Sequence, residues 1–165
     1  MIQLQNVSVQ RGTKILLEAA DLTIYPGQKV GLIGANGSGK STLFQLLLGS
    51  LQSDTGTVDI PKQWRIAHMA QEVGDTSRNA IEYVLDGDSE LRRLEAAIDA
   101  AMAIDDGSPL AHLFGEMETI DAYTAHSRAQ QLLNGLGFSA GDGERPVTDF
   151  SGGWRIRLNL AQALM

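Results

Sequence analysis

Gly34-Ala35-Asn36-Gly37-Ser38-Gly39-Lys40-Ser41-Thr42 is the stretch on which the reading of this chain turns. It fits the pattern G-x-x-x-x-G-K-[ST], and the spacing has a chemical reason. Glycines let successive backbone N–H groups turn inward and wrap a polyphosphate. A helix that follows such a loop aims its positive N-terminal end at the same anion. Lys40 then reaches the β- and γ-phosphates, and the Ser41 hydroxyl holds Mg²⁺. A glycine-rich turn ahead of a helix would look similar without any ligand, so the context matters. The run 29–33, Lys-Val-Gly-Leu-Ile, reads as a short strand leading in. The apolar run 41–48 reads as a helix leading out, with Gly49 at its C′ position. Strand, loop and helix in that order predict a nucleotide phosphate site.

Upstream, Ile2, Leu4, Val7 and Val9 predict an opening strand whose alternation breaks at Gln5-Asn6. Arg11-Gly12-Thr13 predicts a turn and 15–24 a second strand. Pro26-Gly27 suits the two central positions of a type II turn. Downstream, 56–60 predicts a strand ended by Pro61, and 64–70 another. From about Ala80 the pattern becomes helical. Leu91, Leu94, Ile98 and Met102 repeat at helical spacing. The run 105–109 breaks that helix, and Ser108-Pro109 suits the start of a second one with Leu110, Leu113, Met117 and Ile120 inward. Two helices joined so closely predict an antiparallel hairpin. A third helix carries Ala125, Ala129, Leu132, Leu133 and Leu136 inward and ends at Gly137. The last runs from Trp154 to Met165.

Composition narrows the function classes. With 13 Lys and Arg against 20 Asp and Glu, the chain has a net charge of −7, which argues against a nucleic-acid or membrane binder driven by bulk charge. There is no cysteine, so disulfides, thiolate nucleophiles and Cys-ligated metals are excluded. No apolar run reaches the ~20 residues that span a bilayer, and a cytoplasmic location is expected. His68, His112 and His126 are dispersed, without metal-ligand spacing.

Ser151-Gly152-Gly153 ahead of the last helix is a weak signal alone, read equally as a Ser cap and a flexible turn. Combined with the phosphate loop and with Gln71 between them, it makes the chain resemble the nucleotide-binding domains of ABC ATPases. Residues 34–42 look like their Walker A, Gln71 in Ala67-His68-Met69-Ala70-Gln71-Glu72 like their Q-loop glutamine, and 150–164 like their signature motif. Trp154 after Ser151-Gly152-Gly153, and the stretch 81–138 with its helical arm, resemble the ABC-F subfamily, two-domain proteins that act on ribosomes. The resemblance covers essentially all 165 residues.

The resemblance implies an α/β fold: a P-loop NTPase core with an N-terminal antiparallel β portion over 1–79, a helical subdomain over 80–150 with a hairpin arm at about 88–121, and the signature helix over 151–165. It implies that Asn36, Gly37, Ser38, Gly39, Lys40, Ser41 and Thr42 hold ATP. Ser41 and Gln71 would hold Mg²⁺, with Lys40 and Gln71 as the catalytic groups. Ser151, Gly152 and Gly153 would contact the γ-phosphate of ATP on a second ABC domain arranged head to tail. Arg11 falls near the family's adenine-stacking aromatic, and a surface turn residue is the equal alternative. The family's Walker B acid pair and switch histidine are expected beyond Met165, so the chain reads as part of the first ATPase domain, truncated before Walker B. Alone, it is expected to be inactive and to self-associate through unpaired strand edges. Ribosome or tRNA would be the partner of the whole protein. The ATP-binding subunit of a membrane transporter and a non-catalytic nucleotide-binding module are the rival readings. Arg92 and Arg93 are candidates for RNA phosphate contact, against a solvated helix face.

Overall fold

The computed structural model describes residues 1–70, 76–103 and 107–165. They form two compact units, Met1–Ile66 and Ala67–Met165.

The first unit is built on a three-stranded antiparallel sheet, β1 (Ile2–Arg11), β2 (Lys14–Ile24) and β3 (Thr55–Asp59), in the order β2-β1-β3. A helix, α1 (Lys40–Leu47), connects β2 to β3. The break at Gln5-Asn6 is a bulge. Leu4 and Val7 are three residues apart, which strict alternation would place on opposite faces. Asn6 takes φ 50° there, and the pairing register shifts between Leu4 and Val7. The extra residue brings Leu4, Val7 and Val9 onto one buried face with Leu46 of α1. The Asp21 carboxylate accepts the Asn6 N–H at 2.8 Å and holds the bulge. The type II turn is present: Gly27 has φ 80°, and Gln28 N–H donates to Tyr25 C=O. α1 ends in a Schellman arrangement, with Gly49 N–H on Leu46 C=O and Ser50 N–H on Gln45 C=O.

Two expected strands, 29–33 and 64–70, are not strands here. A strand persists only where a neighbour closes its hydrogen-bond ladder, and no described strand lies beside either stretch. Val30, Leu32 and Ile33 are exposed, as are Trp64, Ile66 and Met69.

The second unit is helical: α2 (Ala80–Leu85), α3 (Ser89–Ala103), α4 (Gly107–Thr119), α5 (Ala125–Gly135) and α6 (Gly152–Leu164). Its core joins Ile81, Val84 and Leu85 of α2 with Ala129 and Leu133 of α5, Leu158 and Ala161 of α6, and Phe138, Val147 and Phe150 between them. α3 and α4 pack as a hairpin. It is antiparallel, since Arg93 near the start of α3 meets Glu116 near the end of α4 at 2.6 Å. The buried stripe of α3 is Leu91, Leu94, Ile98 and Ala101. Met102, expected inward, is exposed, because the 3-4-3 spacing carries the stripe toward Ala101. α4 begins earlier than Ser108-Pro109 predicted, and Pro109 falls in its first turn, where no intrahelical N–H is needed.

The root of the hairpin is tied on two sides. Asp88, 5% exposed, accepts the Leu91 N–H at 3.2 Å as an N-terminal cap of α3. Its other carboxylate oxygen accepts from Arg128 of α5 at 3.3 Å. Arg92 donates to Asp86 at 2.8 Å, to Glu82 at 2.7 Å and to Glu95 at 2.7 Å. Burial opposes the Arg92 charge, but hydrogen bonds to Glu95 and Glu82 outweigh it and hold the guanidinium firmly protonated. Just before, Gly87 lies against the Gln162 backbone carbonyl of α6, so close that a Cβ has no room. Gly87→Ala is expected to destabilise the chain by about 3 kcal/mol, because the obstacle is backbone and cannot rotate away. Urea unfolding of the variant against the parent measures it.

Candidate functional site

The loop 34–39 is shaped by backbone geometry. Ala35 to Ser38 form a tight turn, with Ser38 N–H on Ala35 C=O at 3.2 Å and Gly37 at φ 76°. Gly39, at φ 93°, is the N-cap of α1. A glycine cap has no side chain to offer, so no side-chain hydrogen bond closes this helix end. Gly39 C=O accepts from Leu43 N–H at 2.9 Å, which starts the helix and leaves the Lys40, Ser41 and Thr42 amides at its open, positive end. The close packing of the loop on β2 adds a second reason for glycine, since a Cβ on Gly39 would stand 2.7 Å from the Leu16 carbonyl oxygen.

Lys40 folds back across the loop. Its ammonium donates to Gly34 C=O at 2.7 Å and to Ala35 C=O at 2.8 Å. Ser41 is exposed in the first turn of α1, and Thr42 beside it is buried. Asn36, Gly37 and Ser38 are exposed around the turn. The arrangement brings uncapped amides, a primary ammonium and a hydroxyl to one end of one helix, which suits a phosphate with an Mg²⁺ beside the hydroxyl. Arg11, at the end of β1, donates to Gln45 Oε1 of α1 at 3.3 Å. That contact ties the β1–β2 turn to the helix.

One side chain at the loop has no motif to announce it. Lys14, the first residue of β2, donates to Gly37 C=O at 2.9 Å. A single basic residue in a strand carries no spacing signal, so the sequence did not single it out.

The Ser151-Gly152-Gly153 segment lies in the other unit. All three residues are exposed, and Ser151 is the N-cap of α6 with extended backbone. Its side chain makes no cap hydrogen bond, so the hydroxyl and the glycine amides stay open at the helix N-terminus. Aromatic packing fixes this end together with Arg155, which donates to Phe150 C=O at 3.0 Å and to Thr148 C=O at 2.9 Å. Trp154 meets Phe138 edge-on at 4.8 Å, and Phe138 meets Phe150 at 5.6 Å. Arg157 lies 4.6 Å over the Trp154 ring and Arg145 4.5 Å over Phe150. Trp154 is therefore a packing residue of α6.

Gln71 lies outside the described residues. Ala70, just before it, is held: its carbonyl accepts from the Asn159 side-chain amide at 2.6 Å, and Asn159 is only 3% exposed. Asn159 belongs to α6, so the helix that starts at Ser151 also fixes the approach to Gln71. A lone polar residue in mid-helix carries no spacing signal, so this contact is not legible from the sequence. Arg92 and Arg93 are both engaged by carboxylates: Arg92 as above, Arg93 by Glu90 at 2.7 Å and Glu116 at 2.6 Å. Among the described residues no His, Asp and Glu group could hold a metal by itself.

The sequence profile of the ABC transporter family matches residues 17–165. The chain is 50% identical to the probable ATP-binding protein YheS of Escherichia coli (strain K12) over all 165 of its residues, which is 26% of that relative. It is 35% identical to the ATP-binding cassette sub-family F member 3 of Homo sapiens, over 99% of this chain and 23% of the relative. It thus spans about a quarter of the length of these curated relatives. Among solved structures, the dimeric ATP-binding cassette MJ0796 bound to ADP and Pi superposes with a TM-score of 0.65 at 21% identity, over 99% of this chain and 69% of that one.

Asn159→Ala is expected to cost about 1 kcal/mol, the net worth of one hydrogen bond, because water can reach the carbonyl of exposed Ala70 once the donor is gone. Thermal unfolding measures the cost, and hydrogen exchange over 67–70 should rise with it.

Proposed function

The chain belongs to the ABC transporter family, and from that premise we propose that it is the ATP-binding part of an ABC-F ATPase. The observation that carries this reading is the phosphate loop, with Gly37 and Gly39 at positive φ over the uncapped start of α1 and Lys40 folded across it. The likeness to sub-family F member 3 and to YheS, together with the α3–α4 hairpin, favours ABC-F over a membrane transporter subunit.

In this reading the Gly37, Ser38, Gly39, Lys40, Ser41 and Thr42 amides wrap the β- and γ-phosphates of ATP, with Asn36 at the loop's outer turn. Lys40 exchanges its two carbonyl acceptors for phosphate oxygens, a charge-assisted contact about twice as strong as a neutral one. Mg²⁺, when bound, offsets the charge on the β- and γ-oxygens, and the Ser41 hydroxyl and Gln71 are the groups that would hold it. Gln71 orients the water that attacks the γ-phosphorus, giving ADP and inorganic phosphate. Arg11 would stack on the adenine, with a surface turn residue as the equal alternative. Ser151, Gly152 and Gly153 present open amides and a hydroxyl to the γ-phosphate held by a second ABC domain, head to tail with this one. The dimeric cassette bound to ADP and Pi supports that pairing. Hydrolysis belongs to the whole protein, and the chain 1–165 alone self-associates and turns over no ATP. No helix among the described residues is long and apolar enough to cross a membrane. We place the whole protein in the cytoplasm, acting on the ribosome or its tRNA through the hairpin. Arg92 and Arg93 are already ion-paired, so the hairpin would present other groups to that partner.

Lys40→Ala in the whole protein is expected to weaken ATP binding at least about tenfold, which is about 1.4 kcal/mol. Calorimetric titration measures it, and unchanged affinity would sink the assignment. Deleting 88–121 should abolish co-sedimentation with ribosomes and spare ATP binding. Purified 1–165 should release no phosphate in a steady-state assay. Steady release that is lost in Lys40→Ala would refute that part.

A further inference from the structure

We propose that Lys14 is a positioning residue of the phosphate loop: from β2 it fixes the Gly37–Ser38 peptide plane. The inference rests on the ATP-binding reading only for its consequence on affinity; the geometry stands by itself. Both polar ends of this one peptide are held. Its carbonyl, on Gly37, accepts the Lys14 ammonium at 2.9 Å. Its N–H, on Ser38, donates to Ala35 C=O at 3.2 Å. The second bond closes the turn from within the loop; the first anchors it from a different element.

The anchor is placed by the sheet. Lys14 pairs with Arg11 across the two-residue turn at Gly12-Thr13, so its backbone is fixed in the β1–β2 ladder. Leu16, two residues on, where the β1–β2 register shifts, packs against the loop: its Cβ would lie 3.7 Å from a Cβ on Gly39. The strand therefore lies along the loop, with Lys14 at Gly37 and Leu16 at Gly39. The ammonium lies close beside Gly37, 3.4 Å from where a Cβ would stand, an ordinary contact distance. At φ 76° Gly37 is the least constrained backbone position of the turn. It is the point at which an external tether removes most freedom. A loop held this way needs less ordering when a polyphosphate arrives, and affinity rises because less entropy is lost.

Lys14 is exposed, so its replacement leaves the core untouched. Lys14→Met keeps the stem and removes the donor, while Lys14→Arg keeps a charged donor of similar reach. In the nucleotide-free chain, Lys14→Met should speed amide hydrogen exchange at Ser38 by about three- to tenfold, the range of a partly exposed charge-assisted bond. Lys14→Arg should restore the parent rate. In the whole protein, Lys14→Met should weaken ATP and ADP binding by the same factor, again restored by Arg, because the loop serves both. Unchanged Ser38 exchange in Lys14→Met overturns the proposal. So does a loss confined to ATP, which would make Lys14 a direct ligand of the γ-phosphate. If the parent protein binds neither nucleotide, the ATP-binding reading fails, and Ser38 exchange still decides the role of Lys14.

Discussion

Backbone amides can bind an anion only where the chain points several of them the same way and leaves them unpaired. Helix and sheet forbid that along their length, because each N–H is already used in the ladder. The exception is a helix start, and it stays open only if no side chain caps it. Gly39 meets that condition: its left-handed backbone starts α1 and offers no cap, and Gly37 turns the loop that precedes it. The sheet around it follows from the same need. β2 must run close enough to Gly39 for its Leu16 carbonyl to exclude a side chain, and the bulge at Asn6 keeps β1 facing α1 while it does so.

The second unit repeats this solution with a different support. Ser151 leaves the start of α6 uncapped, and the second unit has no strand among its described residues to hold it. Phe138, edge to face with both Trp154 and Phe150, does so instead, with Arg157 over the Trp154 ring and Arg145 over Phe150. Arg155 adds polar ties to the Phe150 and Thr148 carbonyls, so the backbone before the helix is held while the Ser151 hydroxyl and the glycine amides stay open. The Asn159 bond to Ala70 then makes α6 serve two purposes, since any shift of its start is felt at the residue before Gln71.

Much of this was legible in the sequence because it is local. Glycines at fixed offsets before an apolar helix, Pro26-Gly27 in a turn, and the spacing of Leu91, Leu94 and Ile98 need only near neighbours to take effect. The family profile over 17–165 and the superposition with a solved cassette bear out the fold class. What was not legible depends on partners distant in the chain. Residues 29–33 and 64–70 have strand composition but no ladder among the described elements, and composition cannot supply one. Lys14, Asn159 and the Asp88–Arg128 pair are single polar residues whose partners lie 23, 89 and 40 positions away. No periodicity marks such contacts.

The ion pairs at the hairpin root show how charge is used here. Exposed pairs are worth little each, about 0–1 kcal/mol, and would not fix an element alone. Arg92 differs because Glu82 of α2, Asp86 just after that helix and Glu95 of α3 meet on one guanidinium, and Asp86 also binds Arg78 at 3.0 Å. Arg78 in turn has its backbone carbonyl on Val147 N–H, in the segment that leads to Ser151. The hairpin, α2 and the approach to α6 are therefore joined through shared charges and backbone bonds, with Asp88 and Arg128 closing the opposite side. Bending the hairpin at its root would have to break several of these bonds at once.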